Sequence, residues 1–357
     1  MINRNKYIDL LNGTVKDVNG KNTIMELLQY VQENKPKSLF HYRRCTEYTI
    51  EAFRENKIYF NTANNFNDPY DCLVYCDIEK INNQISNMTT IPNIERLQKN
   101  INTAGFIETR PPQMPKEKAE QLLESLKGID LQAMVGCIPD ESWGVLENQL
   151  KTTAKEILYS YVNYYQMEMP LVCLSEKYNN ILMWAHYADN HRGFVIEYDT
   201  DTLKTDCMQC PQGRNYSNCE KWKQVMLLPI LYTNQRYDAT KYIYDNILIK
   251  TFNQLRIPNS WMLEDDFAQY KINIFKQKSW AYEREWRLQL YRTNRDKFIE
   301  IKPVAIYLGC RIAKCYEDIL VKYAQEKNIK IYKMNENPSK LKYGFTKKSI
   351  KGQLGIK

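Results

Sequence analysis

Between Asn87 and Met167 the chain loses the short β-branched and aromatic runs that mark the segments on either side. That break constrains the fold most, because strands and helices demand different spacings of apolar residues. The interrupted stretch carries a Pro111-Pro112 turn and two helical patterns. One covers Lys116 to Lys127. The other runs from about Ser142 to Tyr165, with Val145, Leu146, Leu150, Ile157, Leu158 and Val162 as its apolar stripe. The pattern reads as a helical insertion into an α+β core with a mixed sheet. It divides the chain into 1–86 and 170–337 as the two parts of the core, 87–169 as the insertion, and 338–357 as a tail.

The elements of the core follow from local signals. Thr23 stands three residues before Glu26, which suits a capping box, and Ile24, Leu27, Leu28 and Val31 continue at helical spacing to about Glu33. Ser38–Arg43 and Lys57–Asn61 read as strands around a short helix at Thr46–Asn56. Asn64–Asp71 is a turn by composition. Beyond the insertion, Pro170–Ser175, Gly193–Tyr198, Leu227–Tyr232, Arg284–Tyr291, Val304–Leu308 and Ile329–Tyr332 read as strands. Ile181–Ala188 is expected as a helical turn, and Tyr237–Asn253 and Asp266–Lys278 as helices. Lys314–Asn328 is expected to be an amphipathic helix with Tyr316, Ile319, Leu320 and Tyr323 on one face.

Only twelve of 357 residues are glycine, against twenty-seven tyrosines, and no Gly-rich phosphate loop is present. Walker-type and Rossmann-type nucleotide sites are therefore disfavoured. The polar start Met1–Lys6, with no long apolar run after it, points to a cytoplasmic protein without a membrane span. The ten cysteines are then expected as thiols. Cys207, Cys210 and Cys219 supply three ligands of a possible zinc site but no adjacent fourth; free thiols in a polar loop are the favoured reading. From Pro338 onward there are six lysines and no acid, on a chain of net charge +8. Such a tail suits an acidic partner such as nucleic acid, or simply a solvated terminus.

Candidate chemistry gathers in three segments. All three histidines lie in two of them: His41 in Leu39–Arg44, and His186 and His191 in Met183–Gly193. The third is Trp280–Leu288. On a strand, Glu283, Glu285 and Arg287 share one face, and two carboxylates a pleat apart can divide the work of base and charge stabiliser. Solvated acids at a sheet edge would show the same spacing. His41 and Arg43 likewise share a face and suit an anionic or hydroxyl-rich ligand, or a satisfied histidine beside an arginine. Trp184, His186, Tyr187 and His191 could wall a flat ring, or form a hydrophobic cluster. Asn67 and Asp68 are further pocket candidates. Cys173 with His186 or His41 is a weaker, nucleophilic option, since nothing nearby specifies a thiolate.

Three stretches carry a resemblance: LFHYRRCTEYTIEAFRENKIYFNTANNFNDPYDC, VCLSEKYNNILMWAHYADNHRGFVIEYD and KSWAYEREWRL. Together they resemble a bacterial domain-of-unknown-function family with FNDPFD, MW-x-H-Y-x3-H-x-G and W-x-Y-E-x-E-x-R blocks. More distantly, the order of blocks is similar to that of ADP-ribosyltransferases, although no Ser-Thr-Ser triplet is present. That similarity implies a mainly antiparallel, ADP-ribosyltransferase-like sheet and NAD as substrate. It implies that His41 holds a ribose, Ser175 supports the site, and Tyr187 or Trp184 stacks on nicotinamide. Glu285 would be the catalytic carboxylate and Glu283 would aid the acceptor, a protein or nucleic acid. The expectation is an NAD-consuming transferase or glycohydrolase in a toxin or phage-defence setting. The alternatives are a non-enzymatic nucleotide- or nucleic-acid-binding module, and a metal-dependent nuclease using Asp68, Asp71 and Glu285.

Overall fold

The computed structural model describes residues 2–15, 23–88, 116–126, 140–203, 225–254, 265, 267–290, 297–339 and 341–350. The Pro111-Pro112 turn, Cys207, Cys210 and Cys219, and Lys340, Lys351 and Lys357 lie outside the described residues.

The strands are β1 (Ser38–Arg43), β2 (Lys57–Tyr59), β3 (Leu171–Ser175), β4 (Phe194–Asp199), β5 (Val225–Pro229) and β6 (Leu231–Thr233). They continue as β7 (Phe275–Gln277), β8 (Glu285–Leu290), β9 (Phe298–Glu300), β10 (Ala305–Leu308), β11 (Lys330–Glu336) and β12 (Phe345–Ser349). Eight of them form one open sheet in the order β12-β11-β10-β4-β1-β3-β8-β5. Only the β10–β11 pair in it is parallel. The protein is thus α+β with a mixed, mainly antiparallel sheet. The helices are α1 (Arg4–Asn12), α2 (Ile24–Asn34), α3 (Glu47–Arg54), α4 (Ile78–Met88), α5 (Lys116–Leu126), α6 (Asp140–Asn163), α7 (Ile181–Tyr187), α8 (Thr240–Gln254) and α9 (Lys314–Glu326). Among the described residues, no helix is long and apolar enough to cross a membrane.

Alternation along the strands sorts side chains between the two faces of the sheet. On one face, Leu39, Leu174, Ile196, Trp286, Leu288 and Ile306 form the main core, together with Tyr7, Leu27, Phe53 and Leu320 of the helices. On the other, Phe40, Tyr42, Val195 and Tyr307 pack with Trp184 and Met334. A separate core joins Ile81 and Ile85 of α4, Ala154 and Ile157 of α6, and Ile243 and Ile247 of α8. α6, from the stretch without strand patterns, therefore packs against α8, which lies far beyond it in sequence.

Several local expectations change in the tertiary setting. Thr23 caps α2 by position only; its hydroxyl donates to the Leu10 carbonyl at 2.7 Å, so the expected capping box does not form. Thr46 and Thr49 make such a box instead, at the start of α3. The single strand expected at Leu227–Tyr232 is two. β5 pairs with β8 up to Pro229, and β6 then pairs with β7. Of the helix expected over Asp266–Lys278, the described residues form a helical turn at Ala268–Lys271 before β7 begins, because pairing with β6 overrides helix propensity there. On α9, Leu320 and Ala324 are buried, whereas Tyr316 and Ile319 are 36% and 39% exposed. Tyr323 packs partly buried against the main core, so of the expected face Leu320 and Tyr323 lie inward while Tyr316 and Ile319 turn toward solvent. The lysine-rich stretch after Pro338 supplies β12, an edge strand paired to β11. There Lys347 Nζ stands 4.4 Å from the centre of the Tyr332 ring and 4.8 Å from that of Tyr178.

Candidate functional site

The sheet is not continuous at its centre. β1 is in register with β4 over all six of its residues, yet it pairs with β3 only at Phe40–Ser175. β3 in turn follows β8 from Leu171 to Ser175. Beyond that single pair, β1 and β3 leave a cavity of about 350 Å³, lined by His41 and Arg43 on one side and Val172, Cys173 and Leu174 on the other. The volume falls within the range of small-molecule sites. His41 and Arg43 lie on the face of Leu39, while Glu285 and Cys173 lie on the opposite face with Phe40 and Ser175. Only a gap in the sheet brings residues of both faces to one cavity.

One wall is a buried charge cluster. Lys276 Nζ reaches Glu283 Oε2 at 2.7 Å, Glu285 Oε2 at 2.8 Å and Asp71 Oδ2 at 3.2 Å. Arg287, wholly buried, donates from Nε to Glu285 Oε1 and from Nη2 to Asp71 Oδ2, both at 2.6 Å, and from Nη1 to the Asn273 carbonyl at 2.6 Å. Three carboxylates thus face two cations, leaving one negative charge in excess when all are ionised. The two glutamates resolve this differently. Burial raises Glu283, Lys276 pulls it back and Glu285 raises it again, so that it titrates at about 7. Burial acts on Glu285 in the same upward direction, but Arg287 and Lys276 outweigh it and hold that carboxyl well below the ordinary range. One acid is fixed as an anion while its neighbour exchanges a proton near neutrality, the division that acid–base sites require.

Local structure positions these groups. Arg284 adopts φ +47°, which ends the 3₁₀ turn Lys278–Glu283 and starts β8 at Glu285. Glu283 is therefore not on the strand, as simple alternation would have it. It reaches the cluster from the turn instead. Ser175 Oγ donates to the Glu283 carbonyl at 2.6 Å, and Tyr187 OH donates to Glu283 Oε1. The Glu285 amide donates to Tyr232 OH at 2.8 Å. Asp71 arrives from the turn Phe66–Cys72, where the Tyr70 amide donates to Asp68 Oδ1 at 2.9 Å and Cys72 takes φ +56°.

The opposite wall is cationic. Arg43 Nη1 lies 3.4 Å from His41 Nε2, and among the described residues no carboxylate pairs with Arg43. Burial lowers the pKa of both groups, and the Arg43 charge lowers His41 further, keeping the imidazole neutral. A guanidinium in a cavity without an acid partner is a site for an anionic ligand group. Arg44 and Thr46 continue this wall toward solvent, and Asn67 and Asp68 line the same cavity.

The structure therefore brings together His41, Arg43, Asn67, Asp68, His186, Tyr187, Glu283 and Glu285. Four expected residues stand elsewhere. Trp184 is 1% exposed and spends its indole N–H on the Tyr178 carbonyl at 2.7 Å, edge-on to Tyr42. It is core, because the helical face that carries it turns toward the sheet. His191 belongs to a left-handed turn in which Asp189, Asn190 and His191 have φ of 48°, 52° and 69°, and its ring rests against Phe345 of β12. That turn lets Gly193 cross the Arg43 carbonyl, where a Cβ would stand only 2.1 Å from the oxygen. Ser175 acts through the Glu283 backbone, and Arg287 stands behind Glu285. Cys173 lines the cavity, but burial and then Glu285 push its thiol well up, against a nucleophilic role.

Lys276 was not identifiable from spacing. It precedes the Trp280–Leu288 segment on a strand that reads as helix, and only the fold places it between three acids. For the nuclease alternative, Asp71 and Glu285 do converge, on Arg287 and Lys276. Among the described residues, no group of three His, Cys, Asp or Glu side chains is arranged to hold a metal ion.

No curated protein and no solved structure matches this chain. Residues 183–288, which include Tyr187, Lys276, Glu283, Glu285 and Arg287 but not His41, Arg43 or Asp71, match the family model described as Protein of unknown function (DUF2971).

Proposed function

We propose that the protein cleaves the nicotinamide–ribose bond of NAD, as an ADP-ribosyltransferase-like transferase or NAD glycohydrolase. The observation that carries this reading is the pairing of Glu285, held ionised, with Glu283, titrating at about 7, on a cavity whose facing wall holds Arg43 without an acid partner. Breaking the C–N bond sends its electron pair to nicotinamide and leaves positive charge on the ribose. A carboxylate fixed before the reaction lowers the energy of that charge without reorganising. Glu285 is so fixed, since Arg287 and Lys276 hold both its oxygens. Water or another acceptor then adds to the ribose, and Glu283 takes the proton released. Tyr187 steadies Glu283 and offers a ring edge beside it. Arg43, with Arg44 at the rim, holds the diphosphate, and His41, uncharged, bonds a ribose hydroxyl.

Purified protein incubated with NAD should release nicotinamide. Glu285→Gln should abolish release while NAD binding, followed by calorimetry, persists. Arg43→Ala should weaken binding instead. Equal release by wild type and Glu285→Gln, or neither release nor NAD binding in the wild type, would refute the proposal.

A further inference from the structure

A second cavity, of about 500 Å³, adjoins the first, and Asp68 and Lys276 line both. Its remaining walls come from Tyr70, from the end of β6 and the loop after it, and from β7 and the turn that follows. Three of its features point to one kind of ligand.

The first is aromatic surface. Tyr70 is 62% exposed, and Trp280 is half-buried with its ring 5.4 Å from Lys276 Nζ. The second is a prearranged guanidinium. Arg236 lies over Tyr70 at 5.5 Å and over Tyr75 at 5.1 Å, and among the described residues no carboxylate pairs with it. Cation–π contact with two rings restrains the guanidinium while leaving N–H groups for an anion. The third is a pair of exposed amides, Asn234 and Gln235, each able to donate and accept. Rings for stacking, amides for base edges and an unpaired arginine for phosphate are together the chemistry that recognises unpaired nucleotides.

We infer that this second cavity binds the acceptor of the transfer reaction, an unpaired nucleobase carrying its phosphate, across Lys276 from the bond that is cleaved. The acceptor role rests on the NAD-cleaving reading above; the nucleobase site itself does not. In the transfer, the ribose–nicotinamide bond breaks with its electrons on nicotinamide. A ring or exocyclic nitrogen of the base then bonds the ribose carbon, and the proton it loses passes to Glu283. Lys276 lines both cavities and bonds Glu283 at 2.7 Å, so the proton acceptor adjoins the shared wall.

The test is fluorescence anisotropy of a short fluorescein-labelled single-stranded DNA of mixed sequence, titrated with the full-length protein. Trp280→Ala should weaken binding about tenfold or more, the loss of one stacked base, and Trp280→Phe should restore much of it. Arg236→Ala should weaken binding and reduce the salt dependence by about one phosphate contact. Unlabelled AMP that competes as well as the strand would identify a free nucleotide as ligand; AMP that competes poorly would identify a strand. No binding by the wild type, or unchanged binding in both Trp280→Ala and Arg236→Ala, would overturn the inference. Nicotinamide release is measured on the same wild-type preparation. Trp280-dependent binding without release would leave the nucleobase site standing and remove the transfer reading. Glu285-dependent release without DNA binding would do the reverse.

Discussion

Replacing Glu283 by Gln isolates the group that the cluster leaves in balance. In the folded protein Glu283 titrates at about 7, against an ordinary value of 4.5, so the native state binds its proton more tightly than the unfolded chain does. A carboxyl raised on folding contributes stability that is fully present below about pH 4.5 and is lost as the pH rises through about 7. Between about pH 5 and about pH 8 the native advantage from this one group falls by about 2.5 kcal/mol. Above neutrality the ionised Glu283 adds the unbalanced negative charge. Gln cannot ionise, so the variant never acquires that charge. Glu285, held well below the ordinary range, adds its stability above the unfolded value and loses it only in strong acid, outside the window. Urea unfolding across the window should show wild-type stability declining by about that amount relative to Glu283→Gln. The two stability curves should differ in slope, with the variant gaining on the wild type as the pH rises. Parallel curves would refute the assignment of the near-neutral proton to Glu283.

Two further substitutions separate support from contact. Arg287→Met should cost about 3–5 kcal/mol in urea unfolding, because Asp71 and Glu285 lose a buried partner; a loss below about 1 kcal/mol would contradict the charge balance described. Trp184→Ala should cost about 3–5 kcal/mol of stability through the cavity it leaves beside Tyr42. Full stability with weakened NAD binding would instead return Trp184 to the pocket.

Much of the scaffold was legible because its signals are local. Ser38–Arg43 alternates apolar Phe40 and Tyr42 with polar His41 and Arg43, and the strand has those limits and those faces. Glu283 and Glu285 were recognisable as a pair, and Asn64–Asp71 as a turn, since Asn, Asp and Pro restrict the backbone within a few residues. Where local signals were weak or contested, distant partners decided. Thr23 found the Leu10 carbonyl before its own helix, and residues 275–277 became β7 because β6 lay alongside.

By itself the sequence determined which side chains were available: two glutamates beside Arg287, a His–Arg face, an Asp-bearing turn, and an α+β succession of elements. Alternation and capping act between residues close in the chain, so these follow from order alone. The tertiary structure decided what those groups could do. It parted β1 from β3 after one residue pair and drew Asp71, Lys276 and Glu285 together from segments far apart in sequence. Charge interactions in a buried site depend on separation in space and on exclusion of water, neither of which sequence spacing records. The same two glutamates facing solvent would titrate alike. Buried around Lys276 and Arg287, one is fixed as an anion and the other is left to exchange its proton.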